Sequence, residues 1–127
     1  MHDTTTTPNV PALRAVIAHI EQHPGQWNQG TFRRCFAARA ALLAGGEWIN
    51  PEPDGTNWDL RMVPLPGEDH SVWNGIPSVF VGSRAQRVCG LGAEQAYDLF
   101  DQANILDDLR RVVDRICATA EAARAAE

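Results

Sequence analysis

The chain has 127 residues, of which 44% are hydrophobic and 21% are charged. This balance is that of one compact domain with its own core, and it excludes an intrinsically disordered chain. All 11 basic residues are arginine, and a formal net charge of −5 disfavours binding to nucleic acid or to anionic lipid.

The first helix is predicted over residues 11–22, after a disordered tail of residues 1–8 with nothing apolar to bury. Pro11 is a favoured first helical residue. Apolar side chains then recur at the spacing of one helical face, at Leu13, Val16, Ile17 and Ile20.

A second helix is predicted over residues 31–44, with Thr31 as its cap and two glycines providing its exit. On a helical wheel Arg39 falls inside the apolar stripe, between Cys35 and Leu43. An unpaired guanidinium there is costly, so we expect Arg39 to be buried and bound to an acidic group or to carbonyl oxygens.

The tryptophan-rich segment, residues 47–82, has a different character. It contains three of the four tryptophans, most of the prolines and two β-favouring stretches, WDLRMV and SVFV. Each proline would remove a ladder donor from a central strand, so the expected sheet is short, antiparallel and mostly made of edge strands.

Three further helices are predicted over residues 84–89, 93–100 and 105–122, the first capped by Ser83 and the last by Asn104. Large side chains are missing beyond Cys117, so residues 123–127 are expected to fray. The prediction is an α+β fold, mainly helical, in which about five helices and an inserted small sheet form one domain over residues 9–122.

The cysteines are three in number and widely spaced, at Cys35, Cys89 and Cys117, with no CxxC pair. No signal peptide is expected ahead of them, and the longest apolar runs are far shorter than the roughly 20 residues that span a bilayer. We therefore expect reduced thiols, a cytoplasmic location and no membrane contact. Cys89, beside a glycine at a helix end, is the thiol expected to be most accessible.

No pattern in the sequence predicts a catalytic residue, a metal site or a cofactor. His19 and His23 have metal-ligand spacing, but Ile20 stands where HExxH has its glutamate, so both histidines are expected to face solvent. The Glu-Asp-His run at 68–70 supplies one histidine among carboxylates that are expected to be solvated. A binding protein is therefore expected rather than an enzyme.

The tryptophans are the most unusual feature, because a small helical core does not require four of them. They either cover the core beneath the segment or form a recognition surface. The binding residues predicted on the second view are Trp48, Trp58, Trp73, Arg39, Asp59 and Arg61.

Two functions follow from these residues. In the first, the tryptophan-rich segment binds a partner protein. In the second, a pocket lined by tryptophan and arginine binds or converts a small anionic metabolite or nucleotide.

A weak homodimer through the last helix is also predicted. Leu109, Val112 and Ile116 widen its apolar stripe beyond what one side of a small core covers. The first helix or the tryptophan-rich segment could cover this edge instead.

The stretch SRAQRVCGLGAEQAYDLFDQANILDDLRRVVDRI, residues 83–116, resembles small uncharacterised proteins of actinobacteria and actinobacteriophages. These share an "RA..LGL...EA..LF....N.L.DL" pattern after a less regular middle, and the likeness covers the C-terminal third of the chain. It implies an actinobacterial origin and a protein encoded by a phage or another mobile element. Such relatives are expected to carry paired cysteines near the second helix, whereas this chain has only Cys35 there.

Overall fold

The protein is described by a computed structural model that covers residues 7–30 and 33–126. It is an α+β fold, mainly helical, with a small antiparallel sheet between the second and third helices, as the sequence predicts. The helices are α1 (Val10–Gln22), α2 (Phe36–Leu43), α3 (Val81–Cys89), α4 (Ala93–Phe100) and α5 (Leu106–Ala125). The strands are β1 (Arg61–Met62), β2 (Ser71–Trp73) and β3 (Ile76–Phe80), and short 3₁₀ turns occupy Pro24–Gln26 and Asn57–Leu60.

The sheet has the strand order β1-β3-β2, and all its pairs are antiparallel. Asn74 and Gly75 connect β2 to β3 with φ angles of 50° and 78°. Positive φ at both positions is the requirement of a type I′ turn, which an Asn-Gly pair satisfies at little steric cost. On the far side of β1, residues around Trp48 form a bridge that covers that edge of the sheet.

A proline lies in the central strand, contrary to the expectation that prolines would confine the sheet to edge strands. A two-residue turn closes on a hydrogen-bonded pair, so Pro77 belongs to the next pair, which is not hydrogen-bonded, opposite Val72. The backbone nitrogen of Pro77 therefore points away from β2, toward a region that the two-residue strand β1 does not reach. The sheet loses no hydrogen bond at this position, although proline has no N–H to donate.

Asn9 is the N-cap of helix α1, and its side chain accepts a hydrogen bond from the backbone nitrogen of Ala12 at 3.1 Å. The backbone nitrogen of Asn9 also donates to the carbonyl oxygen of Cys89 at the end of α3. Gly90 follows with a φ of 65°, and a Cβ there would collide with the carbonyl oxygen of Thr7. A glycine at this corner therefore lets the N-terminal segment lie directly against α3.

Helix α2 begins at Phe36, several residues later than predicted, and Cys35 is its N-cap residue. The first backbone nitrogen of the helix donates to the side-chain oxygen of Gln29 at 3.0 Å. The predicted cap, Thr31, lies outside the described residues. Gln29, in the connection between α1 and α2, thus accepts from a backbone nitrogen that was predicted to bind a local cap residue.

The predicted caps of α3 and α5 are also wrong. Helix α3 starts at Val81, directly after β3, so Ser83 lies inside its first turn. At the start of α5 the backbone nitrogen of Ile105 donates to the Asp108 carboxylate, while the Asn104 side chain donates to carbonyl oxygens at the end of α4. Helix α5 continues to Ala125, three residues beyond its predicted end.

The core lies between the helices and the inner side of the sheet. Helix α2 is buried on most sides because alanines let α1 and α3 approach it closely. None of the helices in residues 7–30 and 33–126 combines the length and the apolar character that crossing a bilayer requires. The largest apolar side chains at the centre are those of Leu13, Ile20, Phe36, Met62, Leu91, Leu99 and Leu109.

Candidate functional site

The two faces of the sheet differ in what they contact. In the antiparallel register Arg61 lies opposite Phe80, and Trp73 lies opposite Ile76. Because side chains alternate along a strand, these residues share one face, and Met62 belongs to the other face, which enters the core. We call the first of these the outer face; it carries Arg61, Ser71, Trp73, Ile76, Ser78 and Phe80.

Arg61 is buried on the outer face among aromatic rings. Its guanidinium carbon lies 4.2 Å from the ring centre of Phe80, 4.5 Å from that of Trp73 and 5.9 Å from that of Trp58. One terminal nitrogen donates to the hydroxyl of Ser78 at 2.7 Å, and the residue is 3% exposed. Within the described part of the chain, Arg61 has no ion pair, and its Nε has no hydrogen-bond partner. Cation–π contacts therefore replace a carboxylate at this position.

Asp59 organises the loop that precedes the outer face. Its carboxylate accepts hydrogen bonds from the backbone nitrogens of Asp54 and Gly55, at 3.1 and 2.8 Å, and from the side-chain amide of Asn50 at 3.2 Å. The residue is buried. Asp59 is thus a structural acceptor that connects Asn50, Asp54 and Gly55 within this loop.

Arg33 connects this loop to the helices. Its guanidinium lies 4.4 Å from the ring centre of Trp48 and 3.7 Å from the Asp59 carboxylate. It also donates to the carbonyl oxygens of Asn50, Pro51 and Asp59. Arg33 was not among the predicted binding residues, because nothing in its local pattern shows that the chain returns to it from residue 50.

The predicted binding residues therefore fall into three places. Three of them lie close together at the outer face, as residues of a single binding site must: Trp58, Trp73 and Arg61. Trp48 and Asp59 lie beside them, joined by Arg33. Arg39 is separate. The outer-face members that the prediction omitted are Ser71, Ile76, Ser78 and Phe80.

Arg39 is half-buried on α2 and binds a carbonyl, as predicted in part. One terminal nitrogen donates to the carbonyl oxygen of Arg33 at 2.9 Å, and no acidic residue pairs with it within the described part of the chain. Its buried Nε has no hydrogen-bond partner among the residues that the structure describes. Burial lowers the pKa of Arg39, and its charge contributes to lowering the pKa of His19, which burial and His23 also lower.

Arg39→Met is expected to leave the free energy of unfolding within about 1 kcal/mol of the wild-type value. The methionine keeps much of the volume and removes a poorly solvated charge, which offsets the loss of one hydrogen bond. Urea denaturation measures this free energy of unfolding in both proteins. The pKa of His19, followed by NMR, should rise in the variant, and a loss of several kcal/mol would show that the carbonyl bond dominates.

Three large apolar side chains remain exposed on the outer face. Trp73 is 39% exposed, Phe80 is 42% exposed and Ile76 is 43% exposed. Val72, on the opposite side of the same hairpin, is also exposed. Trp48, in contrast, packs with Trp27 against the edge of the core. The tryptophans thus differ in burial: Trp27 and Trp48 pack against the core, and Trp73 is exposed on the outer face.

Two of the three thiols, those of Cys89 and Cys117, are buried. Cys89, expected to be the accessible thiol, is fully buried, and burial raises its pKa to about 11. Cys117 is buried too, and its pKa is also raised by burial. The rings of His19 and His23 lie 4.8 Å apart. No group of three or more histidine, cysteine or acidic residues suited to a metal ion occurs in residues 7–30 and 33–126.

The Glu-Asp-His run at 68–70 is divided by the fold. Glu68 forms a buried ion pair with Arg84, with Nη2 to Oε1 at 2.6 Å and Nε to Oε2 at 3.0 Å, and it also binds Arg87. The hydrogen bonds from Arg84 lower the pKa of Glu68 to about 2, so it is a permanent carboxylate near neutral pH. Asp69 and His70 are exposed. The expectation that all these carboxylates are solvated is therefore wrong for Glu68.

The residues of the predicted dimer surface mostly serve the chain's own core. Leu109 and Ile116 are buried against the other helices, and Val112 is half-buried beside them. Helix α1 packs along α5. A homodimer through α5 stays a prediction, but of these three residues only Val112 has surface to contribute.

Comparison of the chain with protein-family models, with curated proteins and with solved structures gave no match.

Proposed function

We propose that this chain is a non-enzymatic protein-binding protein and that the outer face of the sheet contacts its partner. The observation that carries this proposal is the grouping of Trp73, Ile76 and Phe80, each 39% to 43% exposed, on one face. Contiguous apolar surface costs solvation free energy in a monomer, and such patches are typical of interaction sites.

The rings of the outer face are held in place before any partner arrives. Arg61 contacts Trp58, Trp73 and Phe80 at once, and its bond to Ser78 anchors it to the central strand. Aromatic side chains ordered in this way lose little conformational entropy on binding, which is why tryptophan is enriched at binding hot spots.

The alternative, a pocket for a small anion, has less support from the contacts. Its expected anchors are already used: the Asp59 carboxylate accepts three protein hydrogen bonds, and Arg61 is 3% exposed. A cleft of about 260 Å³ beside the outer face is lined by Asp69, His70, Ser71, Ser78, Val79, Phe80 and Ser83, with no tryptophan or arginine among them.

The test is quantitative affinity capture with the full chain. The double variant Trp73→Ser/Ile76→Thr removes apolar surface from the outer face at two exposed positions. The control, Tyr97→Ser, removes an aromatic ring that is 78% exposed on α4, away from the sheet. We expect at least one protein to be captured by the wild type and by the control but lost with the double variant.

Binding of that protein, purified, is then measured by calorimetry against all three forms. Loss of a central aromatic contact is expected to weaken binding by about 2 kcal/mol, roughly 30-fold. Equal capture of every protein by the wild type and the double variant would contradict the proposal. Far-UV circular dichroism verifies that each variant is folded.

A further inference from the structure

The whole formal net charge of the protein lies in the tryptophan-rich segment. Residues 47–82 contain six carboxylates and a single arginine, which gives −5, the value of the entire chain. The rest of the chain has ten carboxylates and ten arginines and is therefore neutral. The segment that carries the outer face is thus a strongly acidic part of an otherwise balanced molecule.

Two of the six carboxylates are neutralised inside the fold, and four are not. Asp59 pairs with Arg33, and Glu68 pairs with Arg84 and Arg87. The other four are exposed and have no ion pair with any residue that the structure describes: Glu47, Glu52, Asp54 and Asp69. The one cation of the segment, Arg61, is covered by its aromatic neighbours.

Two of the unpaired carboxylates, Asp54 and Asp69, lie in segments next to the outer face. The backbone nitrogen of Asp54 binds the Asp59 carboxylate, which places Asp54 in the loop that leads to Trp58. Asp69 lines the same cleft as Phe80, two residues before β2 begins. The hydroxyl of Thr56 donates to Asp54 and lowers its pKa, so this group is ionised at neutral pH.

We infer that the partner of the outer face is a basic protein segment, in which arginine or lysine side chains flank an apolar anchor. This inference rests on the proposed function and specifies the chemistry of the partner. Exposed aromatic rings accept the apolar anchor, and a rim of unpaired carboxylates favours cations around it. An arginine of the partner would also stack on the exposed side of Trp73.

The experiment selects a random 12-residue peptide library displayed on phage against the immobilised full chain. Enriched peptides are then synthesised, and their Kd is measured by fluorescence polarisation at low and at high salt. We expect enrichment of arginine and lysine beside large apolar residues, with affinity that falls as salt increases. We also expect the Trp73→Ser/Ile76→Thr variant not to bind.

A pair of charge-matched variants locates the electrostatic contribution. Glu52→Gln/Asp54→Asn/Asp69→Asn removes three charges from the rim, and we expect the Kd of a selected peptide to rise about tenfold. The control removes three charges from the helices, by Glu94→Gln, Asp107→Asn and Asp114→Asn, and the same peptide should bind it with a Kd close to that of the wild type.

Three results would overturn the inference. Selected peptides that bind through Trp73 but are neutral or acidic would reject a basic partner and leave the proposed function standing. An equal rise in Kd for both triple variants would show that only overall charge matters. If no selected peptide depends on Trp73 and Ile76, the inference of a basic peptide segment falls, whereas the proposed function is decided separately by the affinity capture.

Discussion

Glu68→Ala is expected to lower the free energy of unfolding by about 3–5 kcal/mol, because it strands a buried cation. The Arg84 side chain is 0% exposed and the Glu68 side chain is 3% exposed, so water does not replace the lost partner. Arg84 also donates to the carbonyl oxygens of Gly45, after α2, and Val63, after β1. One guanidinium therefore joins α3 to the residues that follow α2 and to the residue that follows β1.

The control for Glu68→Ala is Asp98→Ala, which removes the acidic partner of Arg115 on the surface. That pair has a separation of 3.4 Å, and both side chains are more than half exposed, so its loss should cost less than about 1 kcal/mol. Chemical denaturation of both variants compares the two values. Similar losses would contradict the assignment of a structural role to the Glu68–Arg84 pair.

The same pair predicts how stability depends on pH. The pKa of Glu68 is about 2 in the folded chain against an ordinary value of 4.5, so its ionised form stabilises the fold fully above about pH 4.5. This contribution is lost as the pH falls from 4.5 toward 2. In Glu68→Gln the free energy of unfolding should change less steeply across that interval, and an unchanged slope would show that Glu68 is not linked to folding.

Gln29→Leu is expected to lower the free energy of unfolding by about 2–4 kcal/mol, because the buried amide of Gln29 uses its full hydrogen-bonding capacity. Its oxygen accepts from the backbone nitrogen of Phe36 and from the indole of Trp27. Its nitrogen donates to the carbonyl oxygens of Leu99 and Asp101. Leucine would remove the acceptor of the Phe36 backbone nitrogen and of the Trp27 indole, and one of the donors to each carbonyl oxygen, while Asn104 would still donate to Leu99 and Asp101.

Two further variants test whether hydrogen bonds cause this loss. Gln102→Leu makes the same substitution at an exposed position and should change stability by no more than about 0.5 kcal/mol. Gln29→Glu keeps both acceptor positions but brings a carboxylate against two carbonyl oxygens. It should be strongly destabilising at pH 7 and less so at pH 4. A stable Gln29→Leu would mean that shape alone matters at this position.

The candidate site was predicted only in part. Tryptophan content drew attention to Trp58 and Trp73, and both lie at the outer face. Their neighbour Phe80 and the linking Arg33 were not found, because a binding surface depends on which strands become neighbours. One local signal was overlooked: Asn74-Gly75 is the strongest short-range sign of a hairpin, and it would have placed β2 opposite β3.

The sequence alone determined the number and type of the helices, their approximate positions and the location of the sheet. These depend on the spacing of apolar residues and on helix-ending glycines, which act over one or two turns. Only the tertiary structure decided the caps and the polar contacts. Gln29 serves α2 from outside the helix, and Glu68 meets Arg84 across 16 residues. Such pairs form because burial makes an unpaired polar group costly, and burial is a property of the assembled fold.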